Sequence, residues 1–237
     1  VALVTPSPSP PPWGFSDGQL EALKWIAVGF MFLDHIGRLL LGYSTHSWVF
    51  AASRVAFPLF AIILALNLAR GGDRAARAAR TARRLGLWCV IAIAPSVWAR
   101  GSPELVNVLG TLALGSALCW ALASRGALAL RVGVTLAATA AGHFVEFGIA
   151  GVLLIPAVFM WAGAGRAEAG LLALLLLGVT AWFNAVFGGV PAFLGTLACI
   201  PIAWALRQLP LRMPRAQLAF YVLYPLHLAV IGALKAA

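Results

Sequence analysis

Asp34, His35 and Arg38 stand close together inside Leu23 to Gly42, LKWIAVGFMFLDHIGRLLLG, a run that is otherwise apolar. An imidazole beside a carboxylate can act as a general base whose partner orients it or stabilises its charge. Guanidinium groups can steady a developing oxyanion or hold an anionic part of a substrate. Asp34 and Arg38 are spaced i, i+4, one helical turn apart on one face, with His35 flanked by both. A purely structural account exists, in which Asp34 pairs with Arg38 or Arg54, His35 bonds a backbone carbonyl, and the group ties two helices. However, each ionisable side chain held in hydrocarbon costs about 2.5–3.5 kcal/mol by insertion scales. Four such groups at one depth are expensive glue, so a functional layer is the stronger reading.

The element that carries this layer is about twenty residues long, which at ~1.5 Å per residue reaches ~30 Å, the thickness of a bilayer's hydrocarbon core. The whole chain has the same character. Of its 237 residues, 62% are hydrophobic and 10% charged, and the mean hydropathy is +0.94. A water-soluble surface would not carry that composition, so the chain reads as an all-α, polytopic integral membrane protein. The net charge of +10 would suggest nucleic acid in a soluble protein, but here the arginines sit in short clusters between apolar runs, which is how a membrane protein fixes its orientation. Nucleic acid is therefore not expected as a partner; the lipid bilayer is.

Apolar runs separated by charged or turn-forming breaks give about nine transmembrane helices: Leu23–Gly42, Trp48–Ala69, Leu85–Trp98, Val106–Ala123, Ala127–Ala141, Ile149–Gly163, Ala169–Val186, Pro191–Leu206 and Gln217–Leu234. The loop RGGDRAARAARTARR is cytoplasmic by its arginines, and its three- and four-residue arginine spacing suggests an amphipathic helix on the inner leaflet. Counting outward, Arg125, Arg166, Arg207, Arg212 and Arg215 fall on the same side. The opposite connections hold only Arg100, so the N-terminus lies inside and the C-terminus outside. In that arrangement His35 sits ~10 Å below the outer surface, and Arg54, on the returning helix, falls at nearly the same depth.

Residues 1–16 read as a disordered Pro/Ser-rich tail without the features of a signal peptide, followed by a single transmembrane domain over residues 17–237. Ser16, Asp17 and Glu21 suit a helix N-terminus. Pro58, Pro95, Pro156, Pro201 and Pro225 predict kinks. Cys89, Cys119 and Cys199 lie in apolar runs without metal-ligand spacing and read as packing residues, so no metal is expected. Asn107 opens the fourth span. Glu146, beside Gly148 and Gly151, has few solvated alternatives, and His227 lies near mid-membrane where Pro225 disturbs the helix. His46 and His143 read as loop or capping residues. Neither Ser/His/Asp triad spacing nor a glycine-rich phosphate loop is present.

The stretches LKWIAVGFMFLDHIG, RVAFPLFAIILAL, NVLGTLALG, FGIAGVLLI and FYVLYPLHL, in that order, resemble the TraX family, the conjugative pilin N-acetylases, and through it the transmembrane acyltransferases that use cytoplasmic acetyl-CoA. LDHIG and RxAFPLFA are its most specific motifs, and the likeness covers about Leu23 to Leu234. It implies that Asp34 and His35 match the intramembrane DH pair and that Arg54 matches the arginine opening the second motif, making these three the catalytic candidates. Arg38, Asn107, Glu146, Tyr224 and His227 are then the candidates for binding substrate or cofactor. The chain departs from the family in its proline-rich extension and in Glu146-Phe147-Gly148, where an Asp-Tyr-Gly-like turn is expected.

The resulting expectation is a membrane-embedded acetyltransferase in the bacterial inner membrane. It would move an acetyl group from cytoplasmic acetyl-CoA, its co-substrate, to an outer-side protein or small-molecule acceptor; a close resemblance makes that acceptor the amino terminus of a pilin subunit. His35 serves as base, with a transient acetyl-imidazole as a second route, and Arg70, Arg125 and Arg131 are candidates for the CoA phosphates. A proton-coupled transporter or channel competes, as does a non-catalytic pilus or membrane assembly protein. The halves show no convincing self-similarity of the kind transporters carry, and a scaffold leaves the polar layer unused.

Overall fold

The computed structural model of the chain describes residues 14–103 and 105–237. Among them it is built of helices, with one isolated backbone bridge between Val106 and Val145. Helix α1 (Asp17–His35) starts at a complete capping box: Ser16 Oγ accepts from Gln19 N–H, and Gln19 Oε1 accepts from Ser16 N–H. Phe15 packs on the core and Arg207 lies against Gly14; residues 1–13, most of the tail expected over residues 1–16, lie outside the described residues. At Ile36 the helix widens into a π-helical turn (Ile36–Leu40), closed by Leu41 N–H on Ile36 O, where the sequence reading has one continuous helix. Such turns recur at functional sites.

Helices α2 (Trp48–Ser53) and α3 (Ala56–Ala69) form one apolar segment interrupted by a turn at Arg54 and Val55. Helix α4 (Arg74–Arg100) is 27 residues long and capped by Asp73. The arginine-rich stretch is therefore the first part of α4, where a separate surface helix was expected. The chain continues through α5 (Val108–Ala123), α6 (Leu128–Ala141), α7 (Gly148–Ala164), α8 (Ala167–Leu197), α9 (Cys199–Arg207) and α10 (Gln217–Ala236).

Of the five prolines expected to kink helices, Pro58 follows the turn at Arg54 and Val55, and Pro201 follows the break at Ala198. Pro58 and Pro201 occupy the first turns of α3 and α9, where no intrahelical N–H is needed. Helices α4, α7 and α10 continue through Pro95, Pro156 and Pro225. In α8 the backbone departs from helix at Gly189, with φ 65° and ψ −163°. Asn184 Nδ2 donates to Thr196 Oγ1 across 2.9 Å, although twelve residues of straight helix span ~18 Å. The chain thus folds back at Gly189 into a helical hairpin, a conformation that requires glycine. The hairpin seats α2: Phe50 packs on Gly188, and the Ala51 carbonyl lies against Gly195.

Among the described residues, three helical segments are long and apolar enough to cross a membrane: Trp48–Ala69, Ala167–Arg207 and Leu218–Ala236, with mean hydropathies of 2.2, 2.0 and 1.6. Helices α5, α6 and α7 are apolar but shorter. Large apolar side chains such as Leu87, Leu136, Trp182 and Phe187 face outward, as lipid-facing residues do, while Leu23, Leu59, Ile155 and Leu228 fill a shared core. The chain has the character of a membrane protein.

The helices alternate so that charge collects at two ends. At one end Asp17 meets Arg70 and Arg215, Gln19 Nε2 donates to the Arg207 and Leu209 carbonyls, and Arg74 donates to the Gly163 carbonyl. At the other, Arg100 meets Glu146, and Lys235 Nζ donates to the Ala99 carbonyl.

Candidate functional site

The break between α2 and α3 presents Arg54 to the end of α1. Arg54 Nη2 forms an ion pair with Asp34 Oδ1 and bonds Ser53 Oγ at 3.2 Å, while Nε donates to the Phe50 carbonyl at 3.2 Å. Ser53 Oγ also approaches Asp34 Oδ1 at 3.0 Å. The guanidinium of Arg54 lies 4.0 Å from the Phe50 ring centroid, and that of exposed Arg38 lies 5.3 Å from it. Of the two partners the sequence leaves open for Asp34, Arg38 and Arg54, the ion pair forms with Arg54 of the next helix. Ser53 went unnoticed in the sequence, although it is a hydroxyl beside Arg54 in an apolar run.

His35 pairs with His227. Its Nδ1 lies 2.6 Å from His227 Nε2, and His227 Nδ1 lies 2.8 Å from the Leu223 carbonyl. A carbonyl only accepts, so His227 Nδ1 carries the proton, and in a neutral ring Nε2 must then accept. His35 therefore donates from Nδ1 and, when neutral, keeps a lone pair on Nε2. That is the tautomer a general base requires. The partner that orients His35 is the second imidazole, where the sequence pointed to Asp34. Tyr224, 3% exposed, stands edge-on to both rings, with centroids 6.3 Å from His35 and 5.6 Å from His227.

A second polar pair stands at the same end of the bundle. Arg100 Nη1 donates to Glu146 Oε1 at 2.8 Å, and Arg100 Nη2 donates to Ser96 Oγ and the Leu105 carbonyl. Glu146 is held by its backbone: its N–H donates to the Val106 carbonyl and its carbonyl accepts from Thr111 Oγ1. The next residue, Phe147, has φ 66° and stacks on Phe57 with centroids 3.8 Å apart. A non-glycine residue in that region is strained, and the stack helps hold it there. Asp34, Arg54 and Arg38 all lie within electrostatic range of Glu146, which joins the two pairs into one layer. Arg100 was legible as the lone arginine of its side but was not assigned to the site. Asn107 has a structural task instead, accepting from Leu109 N–H to cap α5 and donating to the Cys89 carbonyl. His46 and His143 are exposed in connections, and all three cysteines are buried.

A cavity of about 390 Å³ runs from the arginine-rich end toward this layer. Lys24, Arg70, Arg77, Arg84 and Arg215 line its mouth, and Met31, Leu109 and Tyr224 its deep end. Its lining includes Tyr224 and Met31, one turn before His35 on α1, and neither His35 nor Arg54 lines it. Arg125 lines a different cavity with Arg74 and Arg166, and Arg131 donates to the Ala121 carbonyl at the end of α5. Of the three arginines suggested for phosphates, only Arg70 reaches this cavity.

Fold and site together define a protein that is helical over its described residues and of membrane character, with a part-buried His–His and Asp–Arg layer beyond the Tyr224 end of a basic-mouthed cavity. The family model described as TraX protein matches residues 19–235, and the chain belongs to the TraX family. It is 30% identical to the protein named Protein TraX of Escherichia coli over 231 residues, covering 93% of this chain and 88% of that one. To Protein TraX of Escherichia coli strain K12 it is 29% identical over 230 residues, with the same coverage. No solved structure matches the chain.

Proposed function

We propose that the protein is an acetyl-CoA-dependent acetyltransferase of the bacterial inner membrane. In this reading the arginine-rich end faces the cytoplasm, nine helical crossings place the N-terminus inside and the C-terminus outside, and the acceptor is an amine on the outer side, the amino terminus of a pilin subunit. The observation that carries it is the hydrogen-bond chain from His35 through His227 to the Leu223 carbonyl, because it leaves His35 Nε2 as a base in a site built from an otherwise apolar bundle.

The acceptor's neutral amine attacks the thioester carbonyl, forming the C–N bond, while His35 Nε2 takes its proton. The C–S bond then breaks and the proton passes to the departing thiolate. Arg54, with Nε and Nη2 engaged by Phe50, Ser53 and Asp34, has Nη1 for the oxyanion. Asp34 holds Arg54 in place and supplies negative charge near the imidazolium as it forms. The donor's arm enters through the basic-mouthed cavity, and the aromatic wall of Tyr224 yields to admit the thioester.

The test is transfer of radiolabelled acetyl from acetyl-CoA to a peptide with a free amino terminus, with the protein in nanodiscs. His35→Gln lowers turnover by about 10²–10⁴-fold. Undiminished transfer in that variant removes His35 from the role, and the absence of transfer by the wild-type protein to any amine offered refutes the reaction.

A further inference from the structure

Two of the arginines at the mouth of the cavity are held by a carboxylate of the protein itself. Asp17, at the start of α1, pairs through Oδ1 with Arg70 Nη1 at 2.5 Å and through Oδ2 with Arg215 Nη2 at 2.6 Å. Both arginines line the cavity, along with Lys24, Arg77 and Arg84. Lys24 is partly neutralised by Glu21, whose other oxygen holds the Ala216 N–H and so ties the start of α10 to α1. Arg77 is turned toward backbone carbonyls of residues 67 to 71, leaving its positive charge without a carboxylate. The Nε of Arg70 is buried and, among the described residues, has no hydrogen-bond partner, although buried donors are almost always satisfied.

The geometry points to a binding site for a phosphate-bearing head group, in which Asp17 holds the place of a phosphate until ligand displaces it from Arg70 and Arg215. Two paired guanidinium groups joined by one carboxylate are arranged as they would be around a phosphate, which accepts from several donors at once and carries more charge. The rest of the ligand is constrained by the cavity. From Lys24 to His35, α1 advances ~16 Å past apolar residues, which suits a slender arm with a reactive end and excludes a second bulky charged group. This site rests on the reading of the protein as an acyl-thioester enzyme, since that reading supplies the arm; the head-group recognition follows from the arginines and Asp17 themselves.

The probe is coenzyme A without an acyl group, titrated calorimetrically against the full chain in phosphatidylcholine nanodiscs, with pantetheine as the phosphate-free control. Arg70→Gln and Arg215→Gln each weaken coenzyme A by about tenfold or more. Asp17→Asn, which removes the competitor and keeps the Ser16 cap, tightens it by about fivefold. Pantetheine responds to none of these changes. Asp17→Ser repeats the competitor test should the asparagine variant melt early, and Arg166→Gln, in the other cavity, leaves binding unchanged. Coenzyme A affinity that ignores both Arg70→Gln and Arg215→Gln overturns the site, as does equal or weaker binding in folded Asp17 variants. Adding phosphatidylglycerol separates sources: coenzyme A displaced by that lipid in proportion to its content means that the phosphate bound there belongs to a lipid, and the assignment of the cavity to a slender acyl-carrying arm is overturned. Binding with the expected pattern in a protein that transfers no acetyl group leaves this site standing and refutes only the reaction.

Discussion

His35 donates its Nδ1 proton to Nε2 of His227 across 2.6 Å, joining the end of α1 to the middle of α10. The bond makes His227 a positioning residue. His227→Gln places an amide oxygen where Nε2 stood, and retains most activity. His227→Ala removes the acceptor and lowers kcat by about 10–100-fold, as loss of an orienting outer partner commonly does. Steady-state kinetics of both variants, with donor KM as the internal control, measure this. Equal loss in both would mean that His227 does more than accept a proton.

Asp34 and Arg54 form a largely buried ion pair, so removing either leaves the other charge stranded. Asp34→Asn or Arg54→Gln alone destabilises by about 3–5 kcal/mol, and the double substitution by less than the sum. Tryptophan fluorescence during thermal unfolding in detergent follows the change. Activity stays low in the double variant, because the oxyanion donor is still missing.

Gly195→Ala drives a methyl group into the Ala51 carbonyl, whereas Gly178→Ala meets nothing within 4 Å. The first costs about 1–3 kcal/mol and loosens α2, which carries Ser53; the second is neutral. The same unfolding assay compares them.

The expected orientation is checked by cysteine labelling of intact cells with a membrane-impermeant reagent. The native cysteines are buried, so background is low. His46→Cys becomes labelled and Gly71→Cys does not; the opposite pattern inverts the orientation. Gly71 suits the purpose because it lies in the connection before α4, while positions further into the arginine-rich stretch are within the helix.

Burial opposes the Asp17 carboxylate, but the Arg70 and Arg215 guanidinium groups outweigh it and hold its pKa below the ordinary carboxylate range. A depressed value in the folded state means that the pairing contributes fully above the free-chain value of about 3.9 and fades as pH falls through the folded value. The effect of Asp17→Asn on coenzyme A affinity is therefore constant between about pH 6 and about pH 8. It shrinks with added salt, since Asp17 is half exposed.

The helices were legible because apolar runs are separated by charged and turn-forming residues, so breaks at Gly42, Gly101 and Gly165 stand out. Arg54 was legible as a site residue because charge inside an apolar run is rare. Its pairing with Asp34 was one of two alternatives, because helical spacing offers Arg38 as readily and only the packing of α2 on α1 decides. The His35–His227 bond joins residues 192 positions apart in the chain, which no local pattern reveals. The fold-back at Gly189 was half visible: Gly188, Gly189 and Pro191 marked a boundary between spans, but the Asn184–Thr196 bond that closes the hairpin depends on tertiary geometry.

Helix α4 runs unbroken for 27 residues, with Arg77 and Arg84 near one end and Arg100 at the other. A rod about 40 Å long that pivots by about 3° displaces its tip by about 2 Å, enough to part a hydrogen bond. In the proposed enzyme, a donor docked among the early arginines would bear on the same rod whose far end holds Arg100 against Glu146.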